Sequence, residues 1–203
     1  MSNCIQYALQ DLYRDQPRDY VIDAIPSLLA WITRQSASVQ PAGACDFAVD
    51  WRGETAGVAL HLNLKIIWDI DRLVSEDQCL LDRVRRLKTG KTVDREHVTE
   101  NAAYGLAFVA ISTFLPGQKV MSMRLGLPPD ILFDVTPNAL RGVEVAGRTS
   151  GGRYALNRVQ SGDGSKENPG KESQLRLRVD IAEAYLSLWC NTPSIGSLQK
   201  VKP

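Results

Sequence analysis

Three runs, ENAAYGLAFVAISTF (100–114), QKVMSMRLGLPPDILFDV (118–135) and RGVEVAGR (141–148), decide how this chain is read. In the first, Tyr104, Ala107, Ile111 and Phe114 share one helical face, while Gly105 and the alanines permit close approach to a sheet. Asp94 supplies an N-cap, and Leu115-Pro116-Gly117 a stop. The other two runs predict strands at Val120–Leu125, Ile131–Val135 and Gly142–Gly147. Gly126 with Pro128-Pro129, and Thr136-Pro137-Asn138, are the turns between them. Asp130 and Glu144 then fall on neighbouring strands, where paired carboxylates are suited to hold a divalent cation. Acids on half-exposed strands are also ordinary solvated side chains, so spacing alone does not select the chemistry.

Working outward, Ile5, Ala8, Leu9 and Leu12 have the spacing of a short amphipathic helix, and DYVIDAIPSLLAWITRQ (19–35) continues in helical period with Pro26 inside it. SASVQPAGA (36–44) is a loop by composition. Phe47, Val49 and Trp51, then Val58, Leu60, Leu62 and Leu64, alternate with small or polar residues around Arg52-Gly53-Glu54-Thr55, the pattern of a β-hairpin with His61 on its polar face. Asp69 to Lys88 has helical period, gathers basic residues toward its C-terminal end and stops at Gly90. Downstream of Arg148 the Gly-, Ser- and Lys-rich stretch to Ser173 reads as a loop around a short YALNRV helix. Leu175, Val179, Ala182, Leu186 and Trp189 predict a helix, and SIGSLQKV (194–201) an edge strand.

The 203 residues suffice for one main domain with an extension, here 1–93 ahead of 94–203. A net charge of +1 gives no support to nucleic-acid binding by bulk charge. A local excess exists all the same. Arg141, Arg148, Arg153, Arg158, Lys166, Lys171, Arg176 and Arg178 face only Glu144, Asp163, Glu167 and Glu172 within the same segment. Cys4, Cys45, Cys79 and Cys190 are scattered without metal-ligand spacing, and the chain shows no signal-peptide core or membrane-length apolar run. The expectation is a cytoplasmic protein with free thiols and no membrane partner. GVEVAGRTSGGR lacks the spacing of a nucleotide-binding P-loop, and no Ser/His/Asp arrangement suggests a serine hydrolase.

From Asp94 onward the order helix, strand, strand, strand, helix, strand resembles the core of the PD-(D/E)xK nuclease superfamily. Pro129-Asp130 looks like its PD step, and Glu144-Val145-Ala146 falls where its (D/E)xK tripeptide lies. The phrases GLPPDILF and GVEVAGR look like those of a bacterial subgroup. The resemblance implies an α/β fold, with a mixed sheet flanked by helices as a restriction-endonuclease-like core and an N-terminal helical and hairpin extension. It implies a hydrolase binding DNA or other nucleic acid and cutting phosphodiester bonds with Mg2+. Asp130 and Glu144 would be the metal ligands, Glu100 an accessory acid, and Arg148 or Arg153 a phosphate contact.

The tripeptide's lysine position is Ala146, which leaves Lys166 or Lys171 as a relocated lysine. A regular hairpin across Thr136–Arg141 would set Asp134 rather than Asp130 opposite Glu144. The second reading keeps the fold and loses the reaction, leaving a binding or scaffold protein with a protein partner.

Overall fold

The computed structural model describes residues 3–36, 38–54, 57–90, 93–124, 126–163, 165 and 169–203. In chain order the elements are β1 (Asn3–Ala8), a single 3-10 turn (Leu9–Asp11), α1 (Leu12–Asp15), α2 (Arg18–Ile32), β2 (Ala42–Arg52), β3 (Leu60–Asp69), α3 (Ile70–Glu76), α4 (Leu80–Thr89) and α5 (Arg95–Phe114). There follow β4 (Ser122–Met123), β5 (Ile131–Asp134), β6 (Leu140–Ser150), α6 (Gly152–Ser161), α7 (Gly170–Leu177), β7 (Ile181–Thr192) and β8 (Ile195–Lys202). Among the described residues the fold is α/β, with a mixed sheet in the order β1-β3-β2-β8-β7-β6-β5-β4. The chain forms two compact units and passes between them more than once.

One unit comprises Cys4–Phe47 and Asn63–Lys119. Its centre is the packing of α5 on α2. Ala102 through Ile111 are buried on every face, as are Ala24 through Trp31, which is the signature of helices inside a core rather than on a surface. Gly105 serves that contact: a Cβ there would stand 3.2 Å from Leu28 Cβ and 3.4 Å from the Ala24 carbonyl. The close approach is therefore to a helix, not to a sheet. Asp94 caps α5 through Oδ1, which accepts from Glu96 N at 3.1 Å, and Gly90 closes α4 in the left-handed region at φ 64°. Leu64, Ile66 and Trp68 of β3 are buried alternately, as the hairpin pattern requires. Of the helix expected over residues 3–15, Leu12–Asp15 is helical, whereas Asn3–Ala8 is a strand. Ile5 and Tyr7 sit at strand period as readily as Ile5, Leu9 and Leu12 sit at helical period, and the pairing of β1 with β3 decides between them.

The second unit contains Ala48–Leu62 and Val120–Pro203. Here β8 runs parallel to β2, with Ala48 opposite Ile195, and antiparallel to β7. β6 and β7 are parallel, so the chain between them must cross over, and α6 and α7 form that crossover. Leu156 and Leu175 from these helices pack with Leu186, Leu188 and Cys190 of β7, with Ala146 of β6 against them. Arg178 grips Asp180 with two bonds of 2.7 and 2.5 Å and donates to the Pro128 carbonyl at 3.1 Å, tying the segment before β5 to the start of β7.

Four expectations need correction in this unit. The helix expected through Trp189 ends at Leu177, and β7 begins at Ile181. β7 is buried on both faces from Ala184 to Asn191, so AYLSLWC lacks the alternation that marks a half-exposed strand. SIGSLQKV is an interior strand, flanked by β2 and β7, rather than an edge. The stretch 149–173, expected as a loop around a short YALNRV helix, holds that helix as the longer α6 and also the start of α7; residues 164 and 166–168 lie outside the described residues. The strand expected at Val120–Leu125 is only Ser122–Met123, and Leu125 is outside the described residues.

Gly142 sets how closely β5 lies on β6. A Cβ there would overlap the Ile131 carbonyl oxygen and stand 3.0 Å from Pro129 Cγ. Because the obstacle is backbone, Gly142→Ala is expected to cost about 1–3 kcal/mol. That lowers the thermal midpoint by ~2–4 °C per kcal/mol. A midpoint equal to wild type in thermal melts would show that β5 can shift freely.

Candidate functional site

Ile131 pairs with Val143 and Leu132 with Gly142, so the same register carried one residue back sets Asp130 across from Glu144. The register slips only after Leu132, where Asp134 comes to face Arg141. Asp130, not Asp134, therefore takes the place beside Glu144. Asp134 instead caps the turn that follows it, its Oδ1 accepting from Thr136 N at 2.9 Å and Thr136 Oγ1 at 2.7 Å. Those bonds hold its carboxyl below the usual range. Asp130 is fixed from two sides: its Oδ2 accepts from Val145 N at 2.8 Å, and its carbonyl from Arg124 N at 2.7 Å.

Glu144 lies on the face of β6 that α6 and α7 cover and is 2% exposed. Its Oε1 forms an ion pair with Lys171 Nζ. Lys171 reaches it because α7 carries Lys171 and the fully buried Leu175 one turn apart, on the same inward face. α7 is itself held against the end of α6 at Gly170. That residue has φ 75°, and a Cβ there would collide with the backbone of Gln160, Ser161 and Gly162. Of the two lysines that the sequence left open, Lys171 pairs with Glu144; Lys166 lies outside the described residues.

The pair is electrostatically loaded. Burial is the largest influence on Asp130 and the Glu144 charge the next, and together they push its pKa from 3.8 to about 7. Lys171 and the Val145 N–H oppose the rise, and a hydrogen bond to Glu144 adds to it. Glu144 Oε2 is buried with no hydrogen-bond partner among the described residues. A proton on Asp130 supplies a donor beside it; so would a cation held between the two carboxylates. Two carboxylates with an orphaned oxygen suit a hard divalent ion that keeps most of its waters. No group of three or more His, Cys, Asp or Glu residues forms such a site among the described residues.

The remaining expected residues separate. Arg148 shares the Glu144 face of β6, since both lie an even number of positions apart along the strand. It lines a cavity of about 480 Å3 together with Tyr154, Arg158, Lys171 and Gln174. Arg153 turns to Asp50, whose other oxygen takes His61 Nδ1 at 2.6 Å. Glu100 lies exposed on α5 in the helical unit. Of the basic segment, Arg141, Arg153, Lys171, Arg176 and Arg178 are committed to carboxylates, whereas Arg148 and Arg158 have no ion-pair partner among the described residues.

The raised pKa of Asp130 fixes the sign of a pH effect. Between about 4 and 7 the folded protein keeps a proton that the unfolded chain has lost, so this group's contribution to stability is present below that window and is lost as pH rises through it. Asp180, Glu183 and Glu172, all held low by partners, act in the opposite sense and only toward acid. Asp130→Asn should therefore melt higher than wild type at pH 8, by an amount worth at least ~1 kcal/mol, and the gap should narrow as pH falls below about 7 and close by about pH 4. Parallel melting curves for the two proteins across this range would show that Asp130 is not held protonated.

No helix among the described residues is long and apolar enough to cross a membrane. Comparison of the chain with protein-family models, curated proteins and solved structures returns no match, so the reading of this site rests on its own geometry.

Proposed function

We propose that Asp130, Glu144 and Lys171 form the catalytic centre of a Mg2+-dependent phosphodiester hydrolase of PD-(D/E)xK type acting on nucleic acid. The observation that carries this reading is the convergence of the three side chains: two acids opposite each other on antiparallel strands, and a lysine brought to one of them by the helix that follows. The element order also supports it. α5 is followed by β4, β5 and β6 as an antiparallel set, then by the α6–α7 crossover and the parallel β7, which is the order of a restriction-endonuclease-like core.

In this reading Asp130 and Glu144 hold the cation, which when bound supplies charge neutralisation on the phosphate and a more acidic water. Asp130 would hold such a cation as a carboxylate, the added positive charge offsetting the burial and the Glu144 charge that raise its pKa. Glu144, buried and braced by Lys171, keeps its carboxylate in one place. Lys171 carries three donors, one of which holds Glu144 while the others aim at the attacked phosphate or the water. Arg148 adds charge in the neighbouring cavity, where a guanidinium can bind phosphate but not take up a proton.

A second reading, a binding or scaffold protein that has lost the reaction, is favoured by one observation. Ala146 stands at the tripeptide's lysine position, and the Lys171 ion pair already compensates Glu144 without a metal. Cleavage of plasmid and oligonucleotide DNA and RNA in Mg2+ or Mn2+ separates the two. The nuclease reading expects cutting that chelation abolishes, with a loss of roughly 100-fold or more in both Glu144→Gln and Lys171→Met. No cleavage by a folded wild type, no heat on cation titration, and a lower melting point for Glu144→Ala would leave the scaffold reading.

A further inference from the structure

The cavity beside the carboxylate pair has a composition that the catalytic reading does not use. Tyr154 and Arg158 lie four residues apart on α6, hence on one helical face, and both line it. Tyr154 is 73% exposed. Arg148 joins them from β6 and Lys171 from α7. A tyrosine ring left open between guanidinium groups that have no ion-pair partner among the described residues presents a stacking face and phosphate-binding charge together. A duplex cannot use such a ring, because its bases are already stacked on one another and turned inward. An unpaired nucleotide can, and a cavity of about 480 Å3 is in the range that holds one small ligand.

Resting on the catalytic reading above, we infer that this cavity receives an unpaired nucleotide, its base on Tyr154 and its phosphates on Arg148 and Arg158, so that the substrate class is single-stranded nucleic acid or an unpaired end. The recognition is by stacking and charge, with no base edge read, and takes deoxyribose or ribose strands alike. Lys171 connects this cavity to Glu144, so a strand seated on Tyr154 continues toward the carboxylate pair.

The test is fluorescence anisotropy on the full chain in chelator, so that no cutting occurs, with short labelled thymidine and uridine homo-oligomers and a blunt duplex as probes. The expected result is single-strand binding at least ~10-fold tighter than duplex binding. Tyr154→Ala should weaken the single-strand affinity by roughly fivefold or more, and Tyr154→Phe should retain it. Arg148→Gln and Arg158→Gln should each flatten the salt dependence by about 0.7 in log–log slope. The exposed Tyr154 makes an unchanged melting point the control for folding. Duplex binding equal to or tighter than single-strand binding, an unaltered Tyr154→Ala, or salt-insensitive binding would each overturn the inference. Single-strand binding without cleavage in metal sinks only the catalytic reading; cleavage without single-strand preference sinks only this one.

Discussion

The absence of a side chain at Gly142 is the constraint on which the site depends. It lets the Ile131 carbonyl press against β6, and this contact holds the register that sets Asp130 across from Glu144. A strand pair can slip by one residue only by turning its side chains to the opposite face. Here a slip would carry the Asp130 carboxyl off the Val145 amide that it accepts from, and would lift Ile131 and Leu132 out of the core. The bulge after Leu132 absorbs the mismatch on the far side, where Asp134 and Thr136 close the turn in water.

The second requirement is the crossover between β6 and β7. A carboxylate buried as deeply as Glu144 is tolerated only with a partner, and on this face the partner has to come from a helix. Leu175 anchors α7, Gly170 allows its start to rest on the end of α6, and Lys171 inherits its place from both. An ion pair of this kind adds little to stability by itself, since desolvation offsets most of the attraction. Its effect is to determine which oxygen of Glu144 is occupied and which is left open.

How far the sequence discloses this depends on where each residue lies. The hairpin of β2 and β3 and the capped helix α5 were legible because alternation, Asp94 and Gly90 are local signals. Asp130 and Glu144 were legible as a pair, but the choice against Asp134 was not, since it depends on the register of β5 on β6, which the pattern of neither strand states. β7 was misread because a strand covered on both faces carries no period, and β1 because six residues satisfy two periods at once. Lys171 could be named only as one of two candidates. Its identity rests on an i,i+4 relation to Leu175 that matters only once the sheet position of α7 is known.

Ala146 gives the arrangement a further meaning. Its side chain lies on the same face as Glu144 and packs into the cluster that α6 and α7 build with β7. A long side chain at that position would need the space that the crossover helices fill. On this face the cation beside Glu144 comes down from the helix, and the strand contributes only the small Ala146 side chain to the packing beneath it. The layer that covers this face and the electrostatic counterpart to Glu144 are one element, so a substitution that loosens the seating of α7 also moves the charge that holds Glu144.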